Sequence, residues 1–144
     1  MTKILILNGP NLNMLGQREP EIYGSETLDD IQELCQKKAD ELKIEIDFKQ
    51  SNHEGELITW IQEALNNVGA VIINAGAYTH TSIAIHDALK LLSCPIVEVH
   101  ISDIKEREEF RHHSYIEPLA TKIIVGEGPA GYTQAIEFIA KNIN

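Results

Sequence analysis

Five short apolar runs rich in β-branched residues alternate with stretches of helical period, and that alternation restricts this chain to few folds. The runs are KILIL (3–7), IEIDF (44–48), AVIIN (70–74), PIVEVHI (95–101) and TKIIV (121–125). Near-continuous apolar runs of that length belong to strands buried on both faces, the hallmark of a parallel sheet. Between them, TLDDIQELCQKKADEL sets Leu28, Ile31, Cys35 and Leu42 on one helical face, with Thr27 and Asp30 as a capping-box variant. GELITWIQEALNN is amphipathic, and TSIAIHDALKLL, IKEREEFRHH and AGYTQAIEFIAKNI complete the set. Five β–α pairs predict a doubly wound parallel sheet with helices on both faces, one α/β domain over residues 1–144. The length suits a single domain with a core that needs no staples.

Such sheets bind ligands outside the carboxyl ends of their strands, near the point where strand order reverses. The first run ends in Asn8-Gly9-Pro10-Asn11, the third in NAGAYTHTS and the fourth in EVHIS. In the order 2-1-3-4-5 these three polar ends share one edge, and QSNHEGE of the second run falls on the outer side. His53 in that stretch is read as the start of the next helix.

In the fourth run Glu98, His100 and Ser102 alternate onto one face. A carboxylate inside a buried strand is costly unless paired, and pairing with His100 would fix the imidazole tautomer. The alternative is a structural histidine satisfied by backbone. Ser102-Asp103 either opens an anion-binding helix end or serves as an ordinary cap. Asn74 and His80 are hydrogen-bond candidates for a hydroxylated ligand. Asp87 lies seven residues after His80, two turns along the same helical face. A His–Asp metal site is the weaker option, because no HExxH or cysteine cluster supports it. Arg107 and Arg111 are read as one helical turn apart, either as solvated charge among glutamates or as a pair able to reach an anion. His86, His112 and His113 are read as surface residues.

The stretch NGPNLNMLGQREPEIYGSET (8–27) is long for a strand-to-helix connection. It holds Arg18 and Tyr23. A phenol with a reference pKa near 10 is a poor base at neutral pH, and a close guanidinium favours its phenolate. A Gly-flanked lid that delivers both residues to the site is one reading; an exposed Tyr and a rim Arg is the other.

The net charge of −10 disfavours nucleic acid and anionic membranes as partners, though a local cationic pocket remains compatible with a small anionic ligand. No apolar run approaches the length of a membrane span. The start MTKILILNGP lacks the features of a signal peptide, and neither Cys35 nor Cys94 belongs to a CxxC pair, so a cytoplasmic location with two buried thiols is expected.

Taken together, ILNGPNLNMLGQREPEIYG, SNHEGELITWI, VIINAGAYTHTSIAIHDAL, PIVEVHISDIKEREEFRHHSYI and GPAGYTQAI resemble the type II 3-dehydroquinate dehydratases, over about residues 3–139. The resemblance implies a flavodoxin-like fold and a cofactor-free, metal-free dehydration of 3-dehydroquinate to 3-dehydroshikimate in the shikimate pathway. It implies Tyr23 as the base, Arg18 as its lid partner, and His100 as the acid for the departing hydroxyl. Asn11 then positions an active-site water, and Glu98 pairs with His100. Asn74, His80, Asp87 and Arg111 match substrate-binding positions, and Ile101 and Ser102 match backbone groups that hold the substrate carboxylate. It further implies trimers assembled into a homododecamer, with Asp87 supplied by a neighbouring subunit. No lysine stands in the three strand ends for a Schiff base, and the chain is too short for the barrel of the analogous type I enzyme. The competing classes are a non-catalytic flavodoxin-like nucleotide or flavin module and a receiver-type domain. The first lacks a GxGxxG or P-loop after strand one, and the second lacks an acidic cluster there.

Overall fold

A computed structural model describes residues 2–17 and 19–143, except for the side chains of Tyr23 and Ile143. The five apolar runs form β1 (Lys3–Asn8), β2 (Glu45–Gln50), β3 (Ala70–Asn74), β4 (Ile96–His100) and β5 (Lys122–Val125). They pair in parallel in the order β2-β1-β3-β4-β5. The helices are α1 (Pro20–Tyr23), α2 (Leu28–Leu42), α3 (Glu54–Ala64), α4 (Ile83–Lys90) and α5 (Ala130–Ile143).

The period of two along each strand sorts the core into two layers. Ile4, Ile6, Ile72, Val97 and Val99 face α2 and α5, while Leu5, Leu7, Val71, Ile73 and Ile96 face α3 and α4. Continuing the alternation by one step turns Asn8 and Asn74 toward α5. It turns Glu98 and His100 toward the opposite layer. Register sets Asn8 beside both Gln50 and Asn74, so polar groups from three strands meet at one edge.

Thr27 and Asp30 form the expected capping box: Asp30 N donates to Thr27 Oγ1 at 3.1 Å, and Thr27 N donates to Asp30 Oδ2 at 3.0 Å. On α2 the buried face runs through Ile31, Cys35 and Ala39, and Leu42 in the last turn is exposed. His53 is the N-cap residue of α3, though its side chain makes no capping bond.

The fourth β–α pair departs from expectation. IKEREEFRHH is not a helix but two separate 3₁₀ turns, Ile104–Glu106 and Glu109–Arg111. Its charges have helical spacing without an apolar stripe to bury. Ile104 is buried, whereas Phe110 is 67% exposed. Side chains bond to carbonyls of the segment: His112 Nε2 donates at 2.8 Å to Arg107 O, which a helix would use, and Lys105 Nζ donates to His112 O at 2.6 Å. Asp103 Oδ1 accepts from Lys105 N at 2.9 Å, so an ordinary cap is present at Asp103.

Candidate active site

Beyond the sheet edge lies a cavity of about 190 Å³, lined from the ends of β1, β3 and β4. Its floor depends on a close crossing of two loops. A side chain at Gly9 would place its Cβ 2.1 Å from the Ala75 carbonyl oxygen, so only glycine fits there. Gly9 N donates to Asn74 O at 2.8 Å, which ties the two loops together. Asn11, lining the cavity, has the left-handed φ of 69°. Its N–H donates to Asn52 Oδ1 at 3.0 Å, and Gln50 Nε2 braces the loop through Gly9 O at 3.1 Å.

On β4, His100 and Glu98 are 4% and 1% exposed, so their contact is dry. His100 Nε2 donates to Glu98 Oε2 at 2.5 Å, and Ser114 Oγ donates to the same oxygen at 2.7 Å. Because a carboxylate oxygen only accepts, Nε2 carries its hydrogen and Nδ1 is the nitrogen left to the cavity that His100 lines. Glu98 stands behind the imidazole and does not itself line the cavity.

His80 lines the same cavity from the 3₁₀ turn Gly76–His80, with its ring centroid 6.5 Å from that of His100. Its Nδ1 donates to His113 O at 2.8 Å, which leaves Nε2 as the acceptor of a neutral ring. Burial, and after it the proximity of His100 and Arg111, holds the imidazole below its ordinary value against the opposing bond to His113 O. Asn74, Ile101, Ser102 and Arg111 also line the cavity, as does Arg107. The two arginines are not on a helix. Both are nonetheless well covered, with side chains 13% and 20% exposed, and Arg111 Nε pairs with Glu108 Oε1 at 3.0 Å.

Asp87 is the outlier. It sits exposed on α4, separate from the turn that carries His80, and is absent from the cavity wall. His86, expected at the surface, is half-buried with Nδ1 donating to Tyr115 O at 2.6 Å. His112 is likewise half-buried, whereas His113 is exposed. Cys35 is buried but Cys94 only partly. Arg18 lies outside the described residues. Tyr23 ends α1, and its neighbours Ile22 and Gly24 line a second, open cavity of about 630 Å³. That space shares Ile101, Ser102 and Arg107 with the first, so the segment borders the site.

The sequence does not single out Ser114, Gln50, Asn52 or Tyr132. A lone serine or glutamine carries no pattern. The one available signal was Asn8, a polar residue where an apolar strand would otherwise continue.

The sequence matches the family described as Dehydroquinase class II over residues 2–140. It is 59% identical over 141 residues to 3-dehydroquinate dehydratase of Variovorax paradoxus, covering 94% of this chain and 97% of that protein. It is 56% identical to 3-dehydroquinate dehydratase of Bartonella bacilliformis, covering 99% and 90%. The crystal structure of type II dehydroquinase from Propionibacterium acnes superposes with a TM-score of 0.95 at 43% identity, covering 99% of this chain and 98% of that one.

Proposed function

The chain belongs to the class II dehydroquinase family, and from that premise we propose how its residues dehydrate 3-dehydroquinate. Proton removal beside a ketone needs a base and a group to hold the developing enolate oxygen. Loss of the hydroxyl needs an acid. Tyr23, assisted by Arg18, removes the proton. The electron pair passes into the enolate, whose oxygen is held by a water positioned by Asn11. On collapse, the C–O bond breaks and His100 protonates the departing hydroxyl from Nδ1, releasing water and 3-dehydroshikimate. An acid, a base and hydrogen-bond donors suffice, so the reaction uses no cofactor or metal.

One observation carries the reading: the dry Glu98–His100–Ser114 arrangement, which fixes the imidazole with Nε2 on the carboxylate and Nδ1 toward the cavity. Asn74, neutral His80 and Arg111 bind the hydroxyls and charge of the substrate, and the backbone at Ile101 and Ser102 holds its carboxylate. The experiment is a near-ultraviolet assay for the conjugated enone, with purified, metal-stripped protein and 3-dehydroquinate. Absorbance growth is expected; its absence refutes the function.

The assembly is a homododecamer built of trimers. Asp87, exposed and off the cavity wall of its own chain, completes a neighbouring copy's site. Exposed Ile83 and Leu91, at 57% and 58%, supply apolar surface for such contacts. A fully active monomer in light scattering would remove this proposal. The location is cytoplasmic, consistent with two unpaired thiols, and is checked by cell fractionation.

A further inference from the structure

The most deeply buried phenol among the described residues lies behind the cavity, on α5. Tyr132 is 0% exposed in the apolar layer between the sheet and α2/α5. Its hydroxyl donates to Asn8 Oδ1 at 2.7 Å and accepts from Asn74 Nδ2 at 2.9 Å. The polarity of this chain of bonds is imposed by backbone groups at both ends. Asn8 Nδ2 donates to Lys49 O at 3.0 Å. A carbonyl only accepts, so Asn8 must turn Oδ1 toward the phenol. The phenol's single hydrogen is thereby committed to Asn8, and only a lone pair is left for Asn74. At the far end Gly76 N, which only donates, meets Asn74 Oδ1 at 3.2 Å. The Asn74 amide is therefore clamped, oxygen toward Gly76 and nitrogen toward Tyr132. One Nδ2 hydrogen remains, and Asn74 lines the cavity. Burial pushes the Tyr132 phenol well above its ordinary value, so it keeps its hydrogen throughout the neutral range.

We propose that Tyr132 is a positioning residue for substrate binding. With its hydrogen held by Asn8, it accepts from Asn74 Nδ2 and so helps keep the amide presenting an N–H donor to the site, selecting a hydroxyl or carboxylate oxygen of the substrate. This rests on the assignment of Asn74 to substrate binding made above.

The test is a double-mutant cycle in steady-state turnover of 3-dehydroquinate. Asn74→Ala alone raises KM. Tyr132→Phe keeps the ring and removes the hydroxyl; it raises KM about tenfold, the loss of one well-placed hydrogen bond, with kcat within about threefold of the parent. In the Asn74→Ala background the same change adds nothing to KM. Asn8→Ala leaves the phenol in place but frees its hydrogen to oppose Asn74 Nδ2–H, and it raises KM in the same way. It decides the matter if Tyr132→Phe does not fold. Equal KM increases in both backgrounds, or a parental KM in Tyr132→Phe while Asn74→Ala is impaired, would overturn the role of Tyr132 alone. A parental KM in Asn74→Ala would overturn the Asn74 assignment, and this inference with it.

Discussion

Replacing Ser114 by alanine removes a hydroxyl whose bonding capacity is full. Its hydrogen goes to Glu98 Oε2 at 2.7 Å, and its lone pairs take the N–H groups of Ile116 and Glu117, each at 3.1 Å. Glu117 is exposed, so its N–H turns to water. Ile116 is 1% exposed, and its orphaned N–H costs about 1–3 kcal/mol. Glu98 is equally buried, and its Oε1 has no hydrogen-bond partner among the described residues. Losing a donor to that charge costs about 1.5–3 kcal/mol. Ser114→Ala is therefore expected to destabilise the fold by about 2.5–6 kcal/mol, large for the loss of one oxygen. Urea unfolding reads this as a lower midpoint with an unchanged slope. Turnover should fall about tenfold, because the carboxylate that orients His100 then has only the imidazole to hold it; tenfold corresponds to about 1.4 kcal/mol in the barrier. A loss below about 1 kcal/mol with parental turnover would refute the reasoning and mean that Glu98 is braced by another group.

His100→Ala should lower turnover by about 10²- to 10⁴-fold while the fold persists, measured on the folded fraction; near-parental turnover would demote the residue to a structural role. Tyr23→Phe and Arg18→Ala should each lose most turnover and be strongly non-additive in a double-mutant cycle, since both disable one base. Wild-type hydrogen–deuterium exchange at the substrate's α-carbon in Tyr23→Phe would move the base elsewhere. Cys35, its thiol pushed up to about 12 by burial, should resist a thiol reagent in the native state while half-buried Cys94 labels first; simultaneous labelling would contradict the packing. His80 is held below its ordinary 6.5 chiefly by burial, so the unfolded chain binds more protons between the two values. The stability it confers is complete above that ordinary value and is lost as pH falls below it toward the folded one. His80→Gln should flatten this acid limb in denaturant titrations.

The sheet was legible because β-branched runs and a period-two alternation are local signals, and the polar ends of β1, β3 and β4 marked the edge where Asn11, Asn74 and His100 meet. The segment after β4 reads as a helix and is not one, for a definable reason. Arg107 and Arg111 have helical spacing, but spacing without a buried stripe does not make a helix, and His112 takes the Arg107 carbonyl for itself. Ser114 and Tyr132 were invisible for another reason. A tyrosine on an amphipathic helix reads as core, and its partners become neighbours only once register has set Asn8 beside Asn74. The position of His86 around the helix reads as surface, and the Tyr115 carbonyl that receives it comes from a segment 29 residues away.

The Asn8–Tyr132 bond joins positions 124 residues apart, and this separation gives the site a place in time. During synthesis the strand ends and loop that carry Asn11, Asn74 and His100 emerge well before α5 exists. Until α5 docks, the side chains of Asn8 and Asn74 have no phenol to order them, and one face of the sheet is bare of its last cover. Local helices form early, whereas a contact of this span closes only after most of the chain is in place. Recovery of substrate affinity on refolding should therefore lag behind recovery of helical signal. A nascent chain halted before α5 would hold nearly every residue of the cavity and still not bind as the finished protein does.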